Sequence, residues 1–163
     1  MLKDDGDIIK ACGFLAIYSG NLEDQLDELY GIAISFCPEL VDYAHLRFTD
    51  KARHLRKALG RAYKIAPDFA QKADEEPRVM AILKHCKTVA DSRNEVIHSS
   101  IYAETNGRTM LKNNRQSTTR DISSVEVYNL ANEIWEMHGA VYGLRFAVMR
   151  LKIAMERSDG GQS

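Results

Sequence analysis

Two stretches of this chain carry apolar residues in alternating steps of three and four, and that spacing restricts the fold more than any other feature. The first runs Ile8, Cys12, Leu15, Ser19, Leu22, Leu26, Leu29, Ala33, Phe36. The second runs Val127, Leu130, Ile134, Met137, Val141, Leu144, Val148, Leu151, Met155. A mean step near 3.5 places each set on one face of an α-helix, in the narrow seam of a helical bundle, and no strand has that period. The first helix is expected from about Asp7 to Phe36, stopped by Pro38, with Gly20-Asn21 a possible kink or break. The last is expected to open at Ser123-x-x-Glu126, a capping-box pattern, and to run for about 30 residues, roughly 45 Å.

Between these two helices the pattern changes more than once. Thr49 to Ala66 reads as a second helix, with Phe48, Ala52, Leu55, Leu59, Ala62 and Ala66 on one side. Its other side is basic, with Lys51, Arg53, Arg56, Lys57, Arg61 and Lys64. Leu40 to Phe48 fits either a short helix or a loop, and Pro67 to Glu76 reads as a polar connection. A third helix is expected to start at Pro77, a residue suited to the first turn, and to reach about Ser100. Ile101 to Thr105, then Asn106-Gly107, then Arg108 to Lys112 reads as a β-hairpin with a type I′ turn. Asn113 to Asp121 reads as polar loop. The expectation is therefore an all-α bundle of four main helices with a small β-hairpin between helices 3 and 4, forming one domain over residues 1–157 with a flexible C-terminal tail at 158–163.

Composition narrows the functional classes. The net charge is −1, which argues against a surface that binds nucleic acid everywhere but leaves room for a local basic patch. The three cysteines, Cys12, Cys37 and Cys86, form no C-x-x-C pair and are expected to be reduced thiols in a cytoplasmic protein. The start, Met1-Leu2-Lys3-Asp4-Asp5, is too acidic for a signal peptide, and no apolar run suffices to span a bilayer.

One segment carries chemistry: Asp91-Ser92-Arg93-Asn94-Glu95-Val96-Ile97-His98-Ser99. At about 100° per residue, Arg93 falls within the apolar stripe of Val79, Ile82, Cys86, Ala90 and Ile97. An arginine there must be paired, snorkel outward or face a cleft. Asn94 and His98 are one turn apart at the margin of that stripe. Arg93 and His98 differ by roughly 140° and about 7.5 Å of rise, so they need not touch within one helix. They could line one groove if the helix packs on a symmetry mate. Guanidinium holds phosphate oxygens in a fork, and imidazole moves a proton near neutral pH. RNA brings its own nucleophile, the 2′-hydroxyl, so this pair suffices for cleavage without a metal.

Arg93-Asn94-x-x-x-His98 near the end of a long helix in a small bundle resembles the HEPN superfamily, whose motif is Arg, a polar residue, then His four to six residues on. The motif itself covers only Arg93 to His98; the architectural likeness covers most of the chain. The resemblance implies a metal-independent endoribonuclease, a toxin or a defence or stress effector, acting at a composite site between two copies of the chain. Arg93 would bind the scissile phosphate, His98 would act as general acid or base or position the 2′-hydroxyl, and Asn94 would support them by hydrogen bonding. The products implied are a 2′,3′-cyclic phosphate and a 5′-hydroxyl, and an antitoxin protein is a possible partner. Arg47…His54 and Arg78…His85 have similar spacing, but Phe48 and Val79 stand where the polar residue belongs.

Other readings stay open beside this one. Lys112, Arg115 and Arg120 could bring positive charge to RNA, or belong to an ordinary charged loop. Arg93 could be an arginine ion-paired to Glu23 or Asp24, and His98 a histidine capping a helix. The basic face of the second helix could contact phosphate, although a solvated face is commoner. Glu95-x-x-His98 has the spacing of di-iron bundles but no second copy, and no zinc pattern or phosphate loop occurs, so no metal and no cofactor is expected. Tyr128, Trp135 and Tyr142 share one face of the last helix, where core or dimer packing explains them better than a cofactor pocket. The chain could equally be a non-catalytic HEPN-like dimerisation, nucleotide-binding or scaffold module, or a helical partner protein without nucleic acid.

Overall fold

The computed structural model describes residues 1–114 and 116–160, with side chains through 158. Arg115 and residues 161–163 of the expected tail lie outside the described residues. Five helices and a three-stranded antiparallel sheet are present among them. They run in the order α1 (Ile8–Ile34), a 3-10 helix (Pro38–Tyr43), α2 (Phe48–Ile65), α3 (Lys72–Ile97), β1 (Ser100–Ala103), β2 (Thr109–Asn113), β3 (Thr118–Asp121) and α4 (Ser124–Gly160).

α1 starts because the Asp7 carboxylate accepts the Ile9 and Lys10 backbone N–H groups, each at 3.0 Å, satisfying two of the orphan donors of the first turn. It passes Gly20-Asn21 without a break. Leu15, Leu22, Leu26, Leu29 and Ala33 of the expected stripe are fully buried, and Ser19 among them turns its hydroxyl back to the Leu15 carbonyl. α4 buries its stripe from Val127 to Leu151. The most extensive packing in the chain is between these two helices. They run parallel: Asp5 meets Tyr128, Tyr18 meets Trp135, and Gln25 meets Arg145.

α3 runs antiparallel to α4, with Glu75 beside Arg150 and His85 beside Glu133. α2 runs antiparallel to α3, with Thr49 beside Asn94 and Gly60 against Met80. The 3-10 helix settles the ambiguous segment after Pro38: Leu40 is buried, and its carbonyl accepts the Tyr30 hydroxyl at 2.9 Å.

Three expectations need correction. α3 begins at Lys72, not Pro77, so part of the expected connection is helical and Pro77 sits in the second turn. There it leaves only the Ala73 carbonyl without its intrahelical donor. The Asn106-Gly107 connection is not a type I′ turn, because Gly107 has positive φ and Asn106 does not. Instead the Gly107 N–H donates to the Glu104 carbonyl at 3.0 Å, closing a turn one residue earlier. Finally, the stretch read as polar loop contains β3, which pairs with β2 so that Ile101, Leu111 and Arg120 lie in register. The hairpin is thus a three-stranded sheet, anchored by buried Leu111.

α4 extends through Gly160, three residues into the expected tail. No helix among the described residues is long and apolar enough to cross a membrane.

Candidate active site

Arg93, Asn94 and His98 all lie at the C-terminal end of α3, where the helix meets the sheet. His98 caps the helix just past its last residue, Ile97: its backbone N–H donates to the Asn94 carbonyl at 3.1 Å, and the residue is exposed. Asn94 holds the centre. Its Oδ1 accepts from Arg93 Nη1 at 2.9 Å, and its Nδ2 donates to Thr49 Oγ1 at 3.3 Å. Those two contacts fix which way the amide faces, because the oxygen must meet the guanidinium and the nitrogen the hydroxyl. Thr49 tethers the motif to the first turn of α2, a contact that no local pattern in the sequence signals.

A groove of about 480 Å³ opens beside these residues, lined by Asn94 and His98 together with Asp91, Glu95, Asn113 and Gln116. The one-turn spacing of Asn94 and His98 puts both on its wall. Arg93 does not line it. The guanidinium is half-buried behind Asn94, and its Nε is buried with no protein partner among the described residues. Among those residues Arg93 forms no ion pair, with Glu23 and Asp24 or with any other carboxylate. One chain therefore joins Arg93 to Asn94, and Asn94 to the groove of His98, but does not turn Arg93 and His98 into one cavity.

The cations expected to contact RNA divide. Lys112 is exposed on β2, opposite Ser100 and Thr119, and does not line the groove. Arg120 is committed elsewhere. Its Nε donates to Glu95 at 2.9 Å, and its two Nη groups donate to both Glu126 oxygens at 3.0 and 2.7 Å. Nη1 also reaches the Asp121 carbonyl. The Glu126 and Glu95 carboxylates push its pKa up. This clamp also splits the expected capping box. Ser123 Oγ accepts the Glu126 N–H at 3.2 Å, but the Glu126 carboxylate turns to Arg120 rather than back to the cap. Arg120 is thereby a brace joining β3, α3 and α4. We expect Arg120→Ala to cost no more than about 1 kcal/mol, since all three side chains are partly exposed, and to leave RNA affinity unchanged. Urea unfolding and filter binding check the two halves.

On α2, Lys51 pairs with Asp27, Arg53 with Asp50 and Arg61 with Glu39, which favours a solvated face over a phosphate track. Among the described residues, no group of three His, Cys, Asp or Glu side chains is placed to hold a metal ion. No family model, no curated protein and no solved structure matches the chain.

Proposed function

We propose that this chain is a metal-independent endoribonuclease of the HEPN type, with Arg93, Asn94 and His98 as its reactive groups. The observation that carries the reading is the Asn94 side chain, which links the Arg93 guanidinium to the groove wall that holds His98. In the reaction, the 2′-hydroxyl of RNA attacks the adjacent phosphorus and loses its proton to imidazole. Arg93 stabilises charge on the non-bridging oxygens. The bond from phosphorus to the 5′-oxygen breaks and that oxygen takes a proton from water, giving a 2′,3′-cyclic phosphate and a 5′-hydroxyl. We place the site between two motifs in a homodimer, the α3 ends of two copies facing each other; what supports this is that Arg93 does not line the groove of His98 in one chain. We assign the activity to a toxin or a defence or stress effector of the cytoplasm, restrained by an antitoxin protein. The three free cysteines fit a reducing compartment.

A second reading, a non-catalytic HEPN-like dimerisation, nucleotide-binding or scaffold module, is favoured by the carboxylates of Asp91 and Glu95 at the groove and by the engagement of Arg120. One experiment separates the two. Wild type and His98→Ala are incubated with total RNA in excess EDTA, and the 3′ ends are analysed. The expected result is cleavage with cyclic-phosphate ends by wild type and a loss of about 10²-fold or more in the folded variant. Equal cleavage by both proteins removes His98 from the site. Retained RNA or nucleotide binding without any cleavage selects the second reading.

A further inference from the structure

α4 carries two apolar stripes, and only one of them is covered. The second consists of Trp135, Gly139, Tyr142, Phe146, Met149 and Ile153, again in steps of four and three. Its five large side chains are between 42% and 60% exposed, although each is apolar or aromatic. Isolated exposed apolar residues are ordinary, but an unbroken row with a coiled-coil period along one helix is the signature of a helix-binding face. We propose that this seam docks a second copy of the chain, with the two α4 helices antiparallel.

The area suits a second copy. Three aromatic rings about half exposed, with Met149 and Ile153, offer on the order of 500 Å² per copy before the flanks are counted. Two copies together then reach about 1,000 Å², the lower bound of a specific interface. Shape decides the direction. Gly139 has open space above its Cα, and the seam is hollow there, a groove of about 480 Å³ between Trp135 and Tyr142. In an antiparallel pair centred near residue 144, Trp135 meets Ile153, Tyr142 meets Phe146, and Gly139 meets Met149 of the other copy. The unbranched thioether of Met149 fills that hollow between two aromatic rings, a favourable sulfur contact. A parallel pair would set Gly139 against Gly139 and leave the hollow empty.

Charge leaves the direction to shape. Glu136 and Arg150 flank the seam on one side, with His138, Arg145 and Lys152 on the other. An antiparallel pair brings Glu136, which has no ion pair among the described residues, beside Arg150 of the other copy, a guanidinium already held by Glu75, and also sets Arg145, itself paired with Glu28, beside Arg145 of the other copy. A parallel pair sets Arg145 beside Arg150. This inference does not rest on the ribonuclease reading. It also uses a different surface: Glu126, level with the motif, is eighteen residues from the centre of the seam, about 27 Å. Two motifs in an α4 pair stand about 50 Å apart, so a composite site needs a separate contact between α3 ends, and the α4 seam joins such units.

The test is the solution mass of the whole chain at micromolar concentration, by light scattering. We expect an even-numbered assembly for wild type and half that mass for Phe146→Glu, with helicity unchanged because the ring is mostly in solvent. Met149→Lys is the second variant should Phe146→Glu fold poorly. A monomeric wild type, or a folded variant of unchanged mass, overturns the proposal. Direction is read by oxidative cross-linking in a Cys12→Ser background. Gly139→Cys with Met149→Cys should cross-link between chains, and Gly139→Cys alone should not, since those positions lie about 15 Å apart in an antiparallel pair. Cross-linking by Gly139→Cys alone overturns the antiparallel arrangement.

Discussion

Arg93→Ala is expected to lower RNA cleavage by about 10²- to 10³-fold while leaving the protein folded. Two features of the site lead to this pairing of outcomes. The guanidinium has one protein hydrogen bond, to Asn94, and no ion pair among the described residues. Its Nε is buried without a partner, a donor whose removal relieves a desolvation cost rather than creating one. Deleting the side chain therefore opens a half-buried space but breaks no network that holds helices together, and the thermal midpoint should move by only a few degrees. Arg93→Lys separates charge from shape. An ammonium keeps the positive charge but loses the planar fork that binds two phosphate oxygens at once, so it should recover only part of the lost rate. Single-turnover cleavage in EDTA, with circular dichroism on each variant, reads both quantities. A folded Arg93→Ala protein that cleaves at the wild-type rate would take Arg93 out of the mechanism.

Arg150→Ala should be the most destabilising single change on the protein's polar surface, at about 2–3 kcal/mol. Glu75 is 6% exposed, and its Oε1 accepts both Arg150 Nε, at 2.6 Å, and Nη2. Its Oε2 is buried with no partner among the described residues. Close by, between α2, α3 and α4, burial first and the Glu75 carboxylate second push the Tyr63 phenol up. Removing Arg150 leaves a carboxylate out of water and uncompensated, which costs far more than the pair itself contributes. The estimate is held below the fully buried case because Arg150 is itself half exposed. Replacing both partners, Glu75→Leu with Arg150→Met, should restore most of the loss. Urea unfolding monitored by circular dichroism checks this, and a single-variant cost below about 0.5 kcal/mol, the range of ordinary surface substitutions, would mean that Glu75 finds water when Arg150 is gone.

The same ion pair explains why the start of α3 was misplaced by sequence pattern. Pro77 has the signature of a first helical residue, and the segment before it is polar. The helix nevertheless begins at Lys72, because Glu75 is drawn into the bundle by a guanidinium seventy-five residues away. Local propensity contains no term for a partner that distant. The partners of Arg120 are not legible in the sequence for a related reason. A cation in a polar segment after a turn resembles a free phosphate contact, and only the pairing of β3 with β2 carries it between Glu95 and Glu126.

What the residues determined unaided was periodicity. The alternation of three and four from Ile8 to Phe36 and from Val127 to Met155 specified two long amphipathic helices and named their buried faces almost residue for residue, because burial against a neighbouring helix imposes that spacing on any chain that folds this way. The motif Arg93-Asn94-x-x-x-His98 was legible for the same reason, as a fixed pattern on one helix. Neighbours were not legible. α4 has two apolar stripes of the same period, and Tyr128, Trp135 and Tyr142 lie on one of them. Tyr128 is buried beneath the N-terminal segment through Asp5, while Trp135, against Tyr18, and Tyr142 stay about half exposed. A period fixes the direction in which side chains point from their own helix axis; whether another element lies in that direction is decided only when α1, α3 and α4 pack, and that packing left Arg93 behind Asn94, Arg120 between two glutamates and the second seam of α4 open.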